Sequence, residues 1–359
     1  MNAPSALAHR KLQVPRLVLT SAHRHAGRLS RFGSLLGRTR SLRLSLIAAR
    51  TQSLRGAVEL ARLGARTEAR DGRLHVEYRG QCISVDARQR GVLNALAAFL
   101  IPLVDAGWTI PECAQERIRL GGPGGVQFEI GRASLVSDLS TIFRRFVEGE
   151  YAMLRPRGRA VLDIGANIGD SAIWFALAGA SVVHAYEPFV ATADLARTNV
   201  SLNRLTSTVQ MMQQAVGGEA ATVVARYSPS VSSELSTTTP PASAAHGEVG
   251  DLEQVEVVPF RDAVEQCAAE GANGLSCKID CEGSEFEIFR SGGLSEALAR
   301  IDEVLVEFHR PEYHLITETL ADAGFQVRIR RDEAALGLIY ATRDPFLPNA
   351  VRQWEHPEP

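Results

Sequence analysis

The sequence contains no apolar run long enough to cross a bilayer. A membrane-spanning helix needs about 20 consecutive apolar residues, whereas the longest run here, Ala95 to Val104, is interrupted by Pro102. The basic residues near the N-terminus are not followed by the apolar segment that a secretory signal requires. We therefore expect a chain that neither spans a membrane nor is secreted.

Cysteine is scarce, with five residues among 359, and no two of them form a CxxC pair. No pair of histidines stands at metal-ligand spacing beside them, so the pattern disfavours a zinc module. An odd set of unpaired thiols is typical of a reducing compartment. We expect a cytoplasmic protein with no metal among its site residues.

An excess of charge of either sign is also lacking, because 39 Lys and Arg residues nearly balance 41 Asp and Glu residues. The charge is uneven, since residues 1–60 hold eleven basic residues against the single acid Glu59. We interpret residues 1–65 as a basic arm that is partly disordered or helical, with helix-like spacing over Ser41–Ala65. The alternatives are a targeting, partner-binding or weak membrane-surface role. The acidic remainder shows no interleaving of aromatic and basic residues, so we expect no nucleic-acid partner.

Length and composition suit one large catalytic domain with an appended segment. Hydrophobic residues make up 45% of the chain and charged residues 22%, close to the globular average. Strand-like alternation and a helical stretch near 91–104 indicate a small α+β capping region at residues 66–137. We assign residues 138–345 to the main domain and residues 346–359 to a C-terminal tail.

From Arg159 onward, short apolar strands alternate with amphipathic helices. This alternation is the signature of a mostly parallel sheet covered by helices on both faces. A turn at Asp332-Glu333 predicts an antiparallel hairpin at the sheet edge. The predicted strands are 160–164, 182–186, 208–213, 275–279, 303–308, 326–330 and 336–342, and the predicted helices are 170–177, 191–203, 283–290 and 313–323.

The first of these strands runs into a glycine-bearing turn, Val161-Leu-Asp-Ile-Gly-Ala-Asn-Ile-Gly169, which ends where a helix begins. Gly165 and Gly169 lack a Cβ, so a nucleoside or amino-acid group can approach the backbone there. Asn167 is among the few other residues that tolerate a positive φ. Asp163, at the end of the strand, is expected to meet a cationic amine of the ligand.

Glu187 ends the second strand, where an open α/β sheet binds its ligands, and its carboxylate can accept both hydroxyls of a ribose. The spacing Gly165-x-x-x-Gly169 does not match the G-x-G-x-x-G turn of a dinucleotide site. Asp163 and Asp170 would form a negative lining, which repels phosphates and suits the ammonium and sulfonium groups of S-adenosylmethionine. S-adenosylmethionine is therefore the expected cofactor. The alternatives are an NAD-dependent oxidoreductase and, for Asp170, helix capping alone.

Three motifs in order resemble the FkbM family of methyltransferases: the turn Val161–Gly169, Lys278-Ile-Asp-Cys-Glu-Gly-Ser-Glu285, and Val306-Glu-Phe-His309. The resemblance covers roughly residues 138–342. It implies the class I, Rossmann-like methyltransferase fold with a seven-stranded sheet, and an activity on hydroxyl groups of small molecules, sugars or secondary metabolites. Within the resemblance, the donor loop is Asp163, Gly165, Asn167 and Gly169, the ribose ligand is Glu187, and the adenine-side residue is Gln214.

Acids and a histidine are expected to converge beyond the fourth and fifth strands. Asp280 follows the fourth strand, while Glu307 and His309 emerge on one side of the fifth by period-two alternation. An oxygen acceptor must lose a proton as it attacks the methyl group, so a base with a near-neutral pKa is useful. We predict His309 as this base, with Asp280 or Glu307 orienting it or the acceptor. The alternatives are that the acids bond helix amides, or that they hold a divalent metal.

Acceptor selectivity is expected from the capping region and from residues 228–250. This stretch, rich in Ser, Thr, Pro and Gly, is predicted as an insertion just before the fourth strand, either disordered or a lid. His184, inside the second strand, is interpreted as a core histidine satisfied by backbone. The expected partner is a small-molecule or glycan acceptor, and the remaining alternative is a non-catalytic module that binds an adenosine ligand.

Overall fold

The computed structural model describes residues 54–70, 72–86, 89, 91–228, 251–271, 273–331 and 336–346. All of them belong to one compact unit, Ile47–Pro359. The predicted basic arm up to residue 53 and the predicted tail from residue 347 lie outside the described residues. No helix of the described chain combines the length and apolar character that crossing a membrane requires.

The N-terminal part of the described chain combines short helices with two small antiparallel sheets. Helix α1 spans Leu54–Arg62, and a helical stretch runs through α2 (Val92–Ala95), the π-helical segment Leu96–Leu100 and α3 (Ile101–Asp105). The first sheet has the order β1-β2-β3 and the second β4-β5-β6. Their strands are β1 (Arg66–Arg70), β2 (Arg73–Tyr78), β3 (Gln81–Asp86), β4 (Thr109–Cys113), β5 (Arg117–Gly121) and β6 (Gln127–Gly131).

An amphipathic helix connects this region to the main sheet. Helix α4 spans Leu135–Phe143 and continues as a π-helical turn, Arg144–Glu148. Leu135, Leu139 and Ile142 are buried along one face at helical spacing. The predicted boundary between residues 137 and 138 falls inside α4, and the domain assignment as a whole stays a prediction.

The main sheet confirms the predicted seven-stranded, mostly parallel architecture with a closing antiparallel hairpin. Its order is β15-β16-β14-β13-β7-β8-β9, in which β16 runs antiparallel to both β14 and β15. Every residue of β7, β8, β13, β14 and β16 is buried, as expected for strands covered on both faces. The strands are β7 (Ala160–Ile164), β8 (Val182–Tyr186), β9 (Val209–Met212), β13 (Leu275–Ile279), β14 (Glu303–Phe308), β15 (Gln326–Arg331) and β16 (Gly337–Thr342).

The predicted helices are present, and the third is shorter than expected. Glu282 and Gly283 have φ values of 54° and 102°, and a right-handed helix cannot include them. The helix predicted over 283–290 therefore begins only at Glu285. The helices of the main domain are α5 (Asp170–Leu177), α6 (Val190–Leu202), α7 (Phe260–Glu270), α8 (Glu285–Ile288), α9 (Leu294–Leu298) and α10 (His314–Asp322).

A third small sheet, which the sequence did not predict, corrects the position of the insertion. Strands β10 (Ala215–Gly217), β11 (Ala221–Tyr227) and β12 (Asp251–Pro259) form it in the order β10-β12-β11. Strands β11 and β12 pair antiparallel, with Tyr227 opposite Asp251. The insertion therefore joins the two strands of a hairpin, and β12 and α7 separate it from the fourth strand, so the predicted placement is wrong. Residues 229–250 themselves lie outside the described residues.

His184 on β8 is a core residue, as predicted, with no exposed surface. Its partner is a side chain and not the backbone, because Nε2 lies 3.1 Å from Oε1 of Glu270. Gln210 donates to the other oxygen of the same carboxylate at 3.0 Å. His184 thus fastens α7 to the sheet.

Candidate active site

The turn after β7 adopts the left-handed conformations that its residue types predict. The φ values are 78° at Gly165, 48° at Asn167 and 83° at Gly169. The amides of Gly165 and Ala166 both donate to the carbonyl of Tyr186, at 3.0 and 2.9 Å. These bonds fix the turn against the end of β8, so the loop and Glu187 share one rigid frame.

The two glycines are required by neighbouring protein atoms. A Cβ on Gly165 would lie 1.8 Å from the carbonyl oxygen of Asp280, and one on Gly169 would lie 3.3 Å from Ala196. Gly165 therefore lets β13 end against the loop, and Gly169 lets α6 pack on it. Gly165 also lines the cavity described next, whereas Gly169 is not among its lining residues.

A cavity of about 480 Å³ opens at the carboxyl ends of the parallel strands. Pockets of about 300–1,000 Å³ are typical of small-molecule and cofactor sites. Six of the nine predicted site residues line it, together with residues of the α4 segment and the loop before it. The six are Gly165, Asn167, Glu187, Gln214, Asp280 and Glu307, and the residues of the α4 segment and its preceding loop include Ser134, Asp138, Thr141, Arg144 and Arg145.

Glu187 lies at the predicted place, beside the donor loop and almost fully buried. Its two carboxylate oxygens accept the amides of Asn167 and Phe189, each at 3.1 Å. Burial raises the pKa of Glu187 to about 7, although these two amides act to lower it. Gln214 turns outward, since its amide donates to Glu256 at 3.3 Å. Glu187 is therefore fixed in orientation, and Gln214 contributes to the cavity wall.

Asp163 does not face the cavity, which corrects the prediction that it meets an amine of the ligand. Its side chain is fully buried, accepts the hydroxyl of Ser171 at 2.6 Å and lies 3.3 Å from the ammonium of Lys278. Lys278 also donates to the carbonyls of Ile164 and Gly165, at 3.1 and 2.5 Å. Burial acts to lower the pKa of Lys278, but the charges of Asp163 and Asp280 raise it overall. The cation that Asp163 meets is therefore a protein side chain.

Asp170 is likewise opposed by a buried cation. The guanidinium of Arg145 lies 3.4 Å from Asp170, 3.6 Å from Asp280 and 4.1 Å from the ring of Tyr151. It also contacts the carboxylate of Glu150. The negative lining predicted from Asp163 and Asp170 is therefore wrong, because Lys278 and Arg145 balance the two acids.

The three predicted catalytic residues come together, but His309 lies behind the other two. Its Nε2 is 3.9 Å from Asp280 and 4.0 Å from Glu307, and its Nδ1 is 3.1 Å from Glu285. Burial acts to lower the pKa of His309, but the hydrogen bond to Glu285 and the charges of Asp280 and Glu282 raise it to about 9. An imidazolium cannot accept a proton, so the prediction of His309 as a neutral base does not fit its environment.

Glu285 binds backbone amides at the start of a helix, which is the structural role that we considered as an alternative for the acids after the fourth strand. It is fully buried and accepts the amides of Cys281 and Gly283, at 3.0 and 2.8 Å. Its contact with His309 then orients the imidazole toward Asp280 and Glu307. The sequence placed Glu285 in a motif without assigning it this function.

Asp280 and Glu307 have opposite pKa shifts. Burial acts to raise the pKa of Asp280, but Lys278, His309 and Arg145 lower it overall. The pKa of Glu307 is raised by burial and by the charge of Asp280, against the lowering effect of Arg144 at 3.3 Å. The Oε2 atom of Glu307 is buried and has no hydrogen-bond partner. Glu307 is thus the carboxylate of this pair whose proton affinity is increased.

Asp280, Glu307 and His309 could also supply ligand atoms to a metal, since those atoms lie within 4.8 Å of one another. Both carboxylates already have a cationic partner from the protein, because Lys278 is 3.6 Å from Asp280 and Arg144 is 3.3 Å from Glu307. A histidine must also lose its proton before it binds a metal. This environment disfavours the metal alternative.

Several residues of the site were missed by the sequence analysis. Lys278 is the first residue of the motif Lys278–Glu285, but the sequence analysis assigned it no role. Asp138 and Arg145 are polar positions at helical spacing, a pattern that could have marked a polar helix face. Asn199, fully buried, donates to Ile168 of the donor loop at 2.9 Å and to Glu129 of β6 at 3.1 Å, and no sequence signal distinguishes it.

Comparison with known proteins gives a family match for part of the residues that line this cavity. Residues 163–327 match the family model described as the methyltransferase FkbM domain. The chain matches none of the curated proteins.

Three solved structures illustrate the similarities, all at low identity. A methyltransferase FkbM from Methylobacillus flagellatus is 16% identical, with a TM-score of 0.37, over 59% of this chain and 55% of that one. The chain thus spans little more than half the length of that structure. The magnesium protoporphyrin IX methyltransferase from Synechocystis, with bound SAM, is 14% identical over 58% of this chain and 83% of its own, with a TM-score of 0.31. A SAM dependent methyltransferase from Aquifex aeolicus is 12% identical over 56% and 93%, with a TM-score of 0.32.

Proposed function

We propose that the cavity binds S-adenosylmethionine and that the chain methylates a hydroxyl group of a small molecule or glycan, because residues 163–327 match the methyltransferase FkbM domain model. The observation that carries the hydroxyl assignment is Glu307. Its Oε2 is buried without a hydrogen-bond partner in the cavity wall, and its pKa is raised. A carboxylate in this state accepts a proton from an acceptor more readily than an ordinary glutamate does.

The donor side of the proposal rests on Glu187 and the turn beside it. The carboxylate of Glu187 is fixed by two amides, and each of its oxygens retains a lone pair for a ribose hydroxyl. Gly165 and Asn167 line the same part of the cavity. Gln214, Ala215 and Val216 line the cavity further along the sheet edge, where we place the adenine.

S-adenosylmethionine supplies an electrophilic methyl group on a positively charged sulfur. The residues of this chain contribute orientation and proton transfer around it. Asp280, whose pKa is lowered, stays ionised and orients the acceptor, while Glu307 takes the hydroxyl proton. His309 serves as a fixed positive charge that keeps the two acids from repelling each other. Holding donor and acceptor in line supplies about 7–11 kcal/mol of the barrier reduction in such reactions.

The test uses S-adenosylmethionine labelled in its methyl group and a metabolite extract of the source cells. We expect the wild-type chain to label an alcohol-derived product, and Glu307→Gln to lose about 10²- to 10⁴-fold in turnover. The variant should keep its affinity for S-adenosylhomocysteine, measured by calorimetry. Glu312→Gln, an exposed glutamate after the same strand, is the matched control and should retain activity.

Three results would count against the proposal. Near-full turnover by Glu307→Gln would remove the base assignment. Tight binding of S-adenosylhomocysteine without labelling of any extract fraction would favour a non-catalytic module. Unaltered S-adenosylhomocysteine affinity in Glu187→Ala would remove the ribose assignment.

A further inference from the structure

Asp138 is a buried carboxylate that lines the same cavity as Gly165 and Asn167. It lies on α4, upstream of the family match, with 1% of its surface exposed, and it lines the cavity. Its Oδ2 accepts the hydroxyl of Ser134 at 2.7 Å and the amide of Gly131 at 2.9 Å. These two bonds hold the carboxylate in one orientation.

In the described part of the chain, Asp138 shares with Glu187 the lack of a cation within 4.0 Å, whereas the other buried acids that line the cavity each have one. Among the described residues, no lysine, arginine or histidine nitrogen lies within 4.0 Å of its carboxylate. Arg117 acts on it only from farther away, and burial raises the pKa of Asp138 to about 7. The acids with a cation at 3.6 Å or less are Asp163, Asp170, Asp280 and Glu307.

The position of Asp138 places it beside the start of α5. It interacts electrostatically with Asp170, the first residue of that helix. The amide of Asn199 links β6, which ends at Gly131 beside Asp138, to Ile168 of the donor loop. The carboxylate therefore lines the same cavity as the loop and is connected to it through β6 and Asn199.

We infer that Asp138 binds the α-ammonium group of the amino-acid portion of the donor, an inference that rests on the proposed function. A buried carboxylate without a cation is costly, and a ligand that brings a cation removes that cost. Asp163, the residue first expected in this role, is neutralised by Lys278 and cannot take it. The N-terminal region is then part of the donor site itself and not only a cap for the acceptor.

The experiment compares two ligands that differ in the amino-acid group. S-adenosylhomocysteine carries the ammonium, and 5′-deoxy-5′-methylthioadenosine has the same nucleoside and thioether without it. Calorimetry at pH 8 with the full chain should show that wild type prefers S-adenosylhomocysteine by at least about tenfold. In Asp138→Asn, the affinity for S-adenosylhomocysteine should fall about 10- to 100-fold, while that for methylthioadenosine stays within about twofold.

Two controls separate this role from a structural one. Glu148→Gln makes the same charge change on the same helical segment at an exposed position, and it should leave both affinities unaltered. The unliganded Asp138→Asn protein should melt at the wild-type temperature or above it at pH 8, because a buried charge has been removed. A lower melting temperature with equal weakening of both ligands would show that Asp138 only supports the fold, and would overturn the inference.

The remaining outcomes are also decisive. Unchanged S-adenosylhomocysteine affinity in Asp138→Asn would overturn the inference while leaving the proposed donor site intact. Equal wild-type affinity for the two ligands would show that no ammonium subsite exists. A wild-type chain that binds neither ligand would overturn the proposed function, and the inference with it.

Discussion

Single residues of this site acquire their properties from the charges that surround them. Asp280 and Glu307 are both acids of the predicted catalytic set, yet the pKa of Asp280 is lowered and that of Glu307 is raised. The difference arises because Lys278 and Arg145 act on Asp280, whereas Glu307 is more affected by burial and by Asp280 itself. Residue type alone cannot predict that the two pKa values shift in opposite directions, since each shift depends on the neighbours that the fold places around the carboxylate.

His309→Gln should move the acid limb of the pH–rate profile to higher pH. The imidazolium acts to lower the pKa of Glu307, so removing it leaves Glu307 protonated, and inactive as a base, up to a higher pH. Turnover at pH 6.5 should fall about tenfold, and the two profiles should converge above pH 9, where His309 of the wild type is itself neutral. A loss of about 10²-fold or more at every pH would instead identify His309 as the base.

Gly165→Ala should destabilise the chain more than a matched substitution elsewhere. The φ of 78° strains any L-residue, and the new Cβ would overlap the Asp280 carbonyl. We expect a loss of about 2–5 kcal/mol in the free energy of unfolding by urea, together with loss of S-adenosylhomocysteine binding. Gly80→Ala has nearly the same φ, 75°, in open space, and should cost only about 1–2 kcal/mol. Equal losses would show that the contact with Asp280 does not matter.

Whole elements meet at the donor loop through a few buried polar groups. The side chain of Asn199 joins α6 both to β6 and to the loop. One turn later, directly after the last residue of α6, Asn203 makes the corresponding bonds to Gln127 of β6, at 2.9 and 2.7 Å, and none to the loop. Asn199 and Asn203 therefore both anchor β6, but only Asn199 also supports the loop.

Asn199→Ala should lower both stability and donor affinity, whereas Asn203→Ala should lower stability alone. Leaving buried backbone groups unpaired costs about 1–3 kcal/mol, and for Asn199 one of those groups is the Ile168 carbonyl. We expect S-adenosylhomocysteine to bind about tenfold more weakly to Asn199→Ala and within about twofold of wild type to Asn203→Ala. Calorimetry and urea unfolding measure both quantities. Similar affinities in the two variants would contradict the proposed support of the loop.

At the scale of the molecule, the cavity draws on more of the chain than the family match covers. That match begins at residue 163, but one wall of the cavity is built from residues 131–145. Buried ion pairs extend across this division, as in the contact of Arg145 with Asp280. The N-terminal region and the methyltransferase domain therefore share both a site and a network of charges.

The unliganded protein should lose stability as the pH rises from 6 to 8.5. The pKa values of Asp138 and Glu187 are about 7 and that of His309 is about 9, each above its ordinary value. A group whose pKa is raised on folding stabilises the folded state at low pH, and this contribution disappears as the pH rises through the raised value. The three groups act in the same direction, with a combined loss of about 5 kcal/mol.

Urea unfolding at the two pH values measures this difference. Asp138→Asn should reduce it by about 1 kcal/mol, because one of the three groups no longer titrates. Stability that rises between pH 6 and pH 8.5 would contradict the sign of all three shifts.

The sequence by itself determined the framework of the main domain and predicted the turn that we propose as its donor loop. Strands β7, β8, β13 and β14 were predicted to the residue, because strands buried on both faces give short, mostly apolar runs between polar turns. The small sheets around β1, β4 and β11 gave no such signal, since they are partly exposed and their composition resembles that of loops.

Only the tertiary structure decided which charges face one another. It paired Asp163 with Lys278 and Asp170 with Arg145, and it gave His309 its positive charge through Glu285. It also left Asp138 without a cation within 4.0 Å among the described residues, and Oε2 of Glu307 without a hydrogen-bond partner. These relations join residues far apart in the chain, and electrostatic energies depend on distance and burial, neither of which a linear pattern contains. The spacing of residues therefore predicted the kind of site, and the packing determined the ion pairs and the pKa shift of each acid in it.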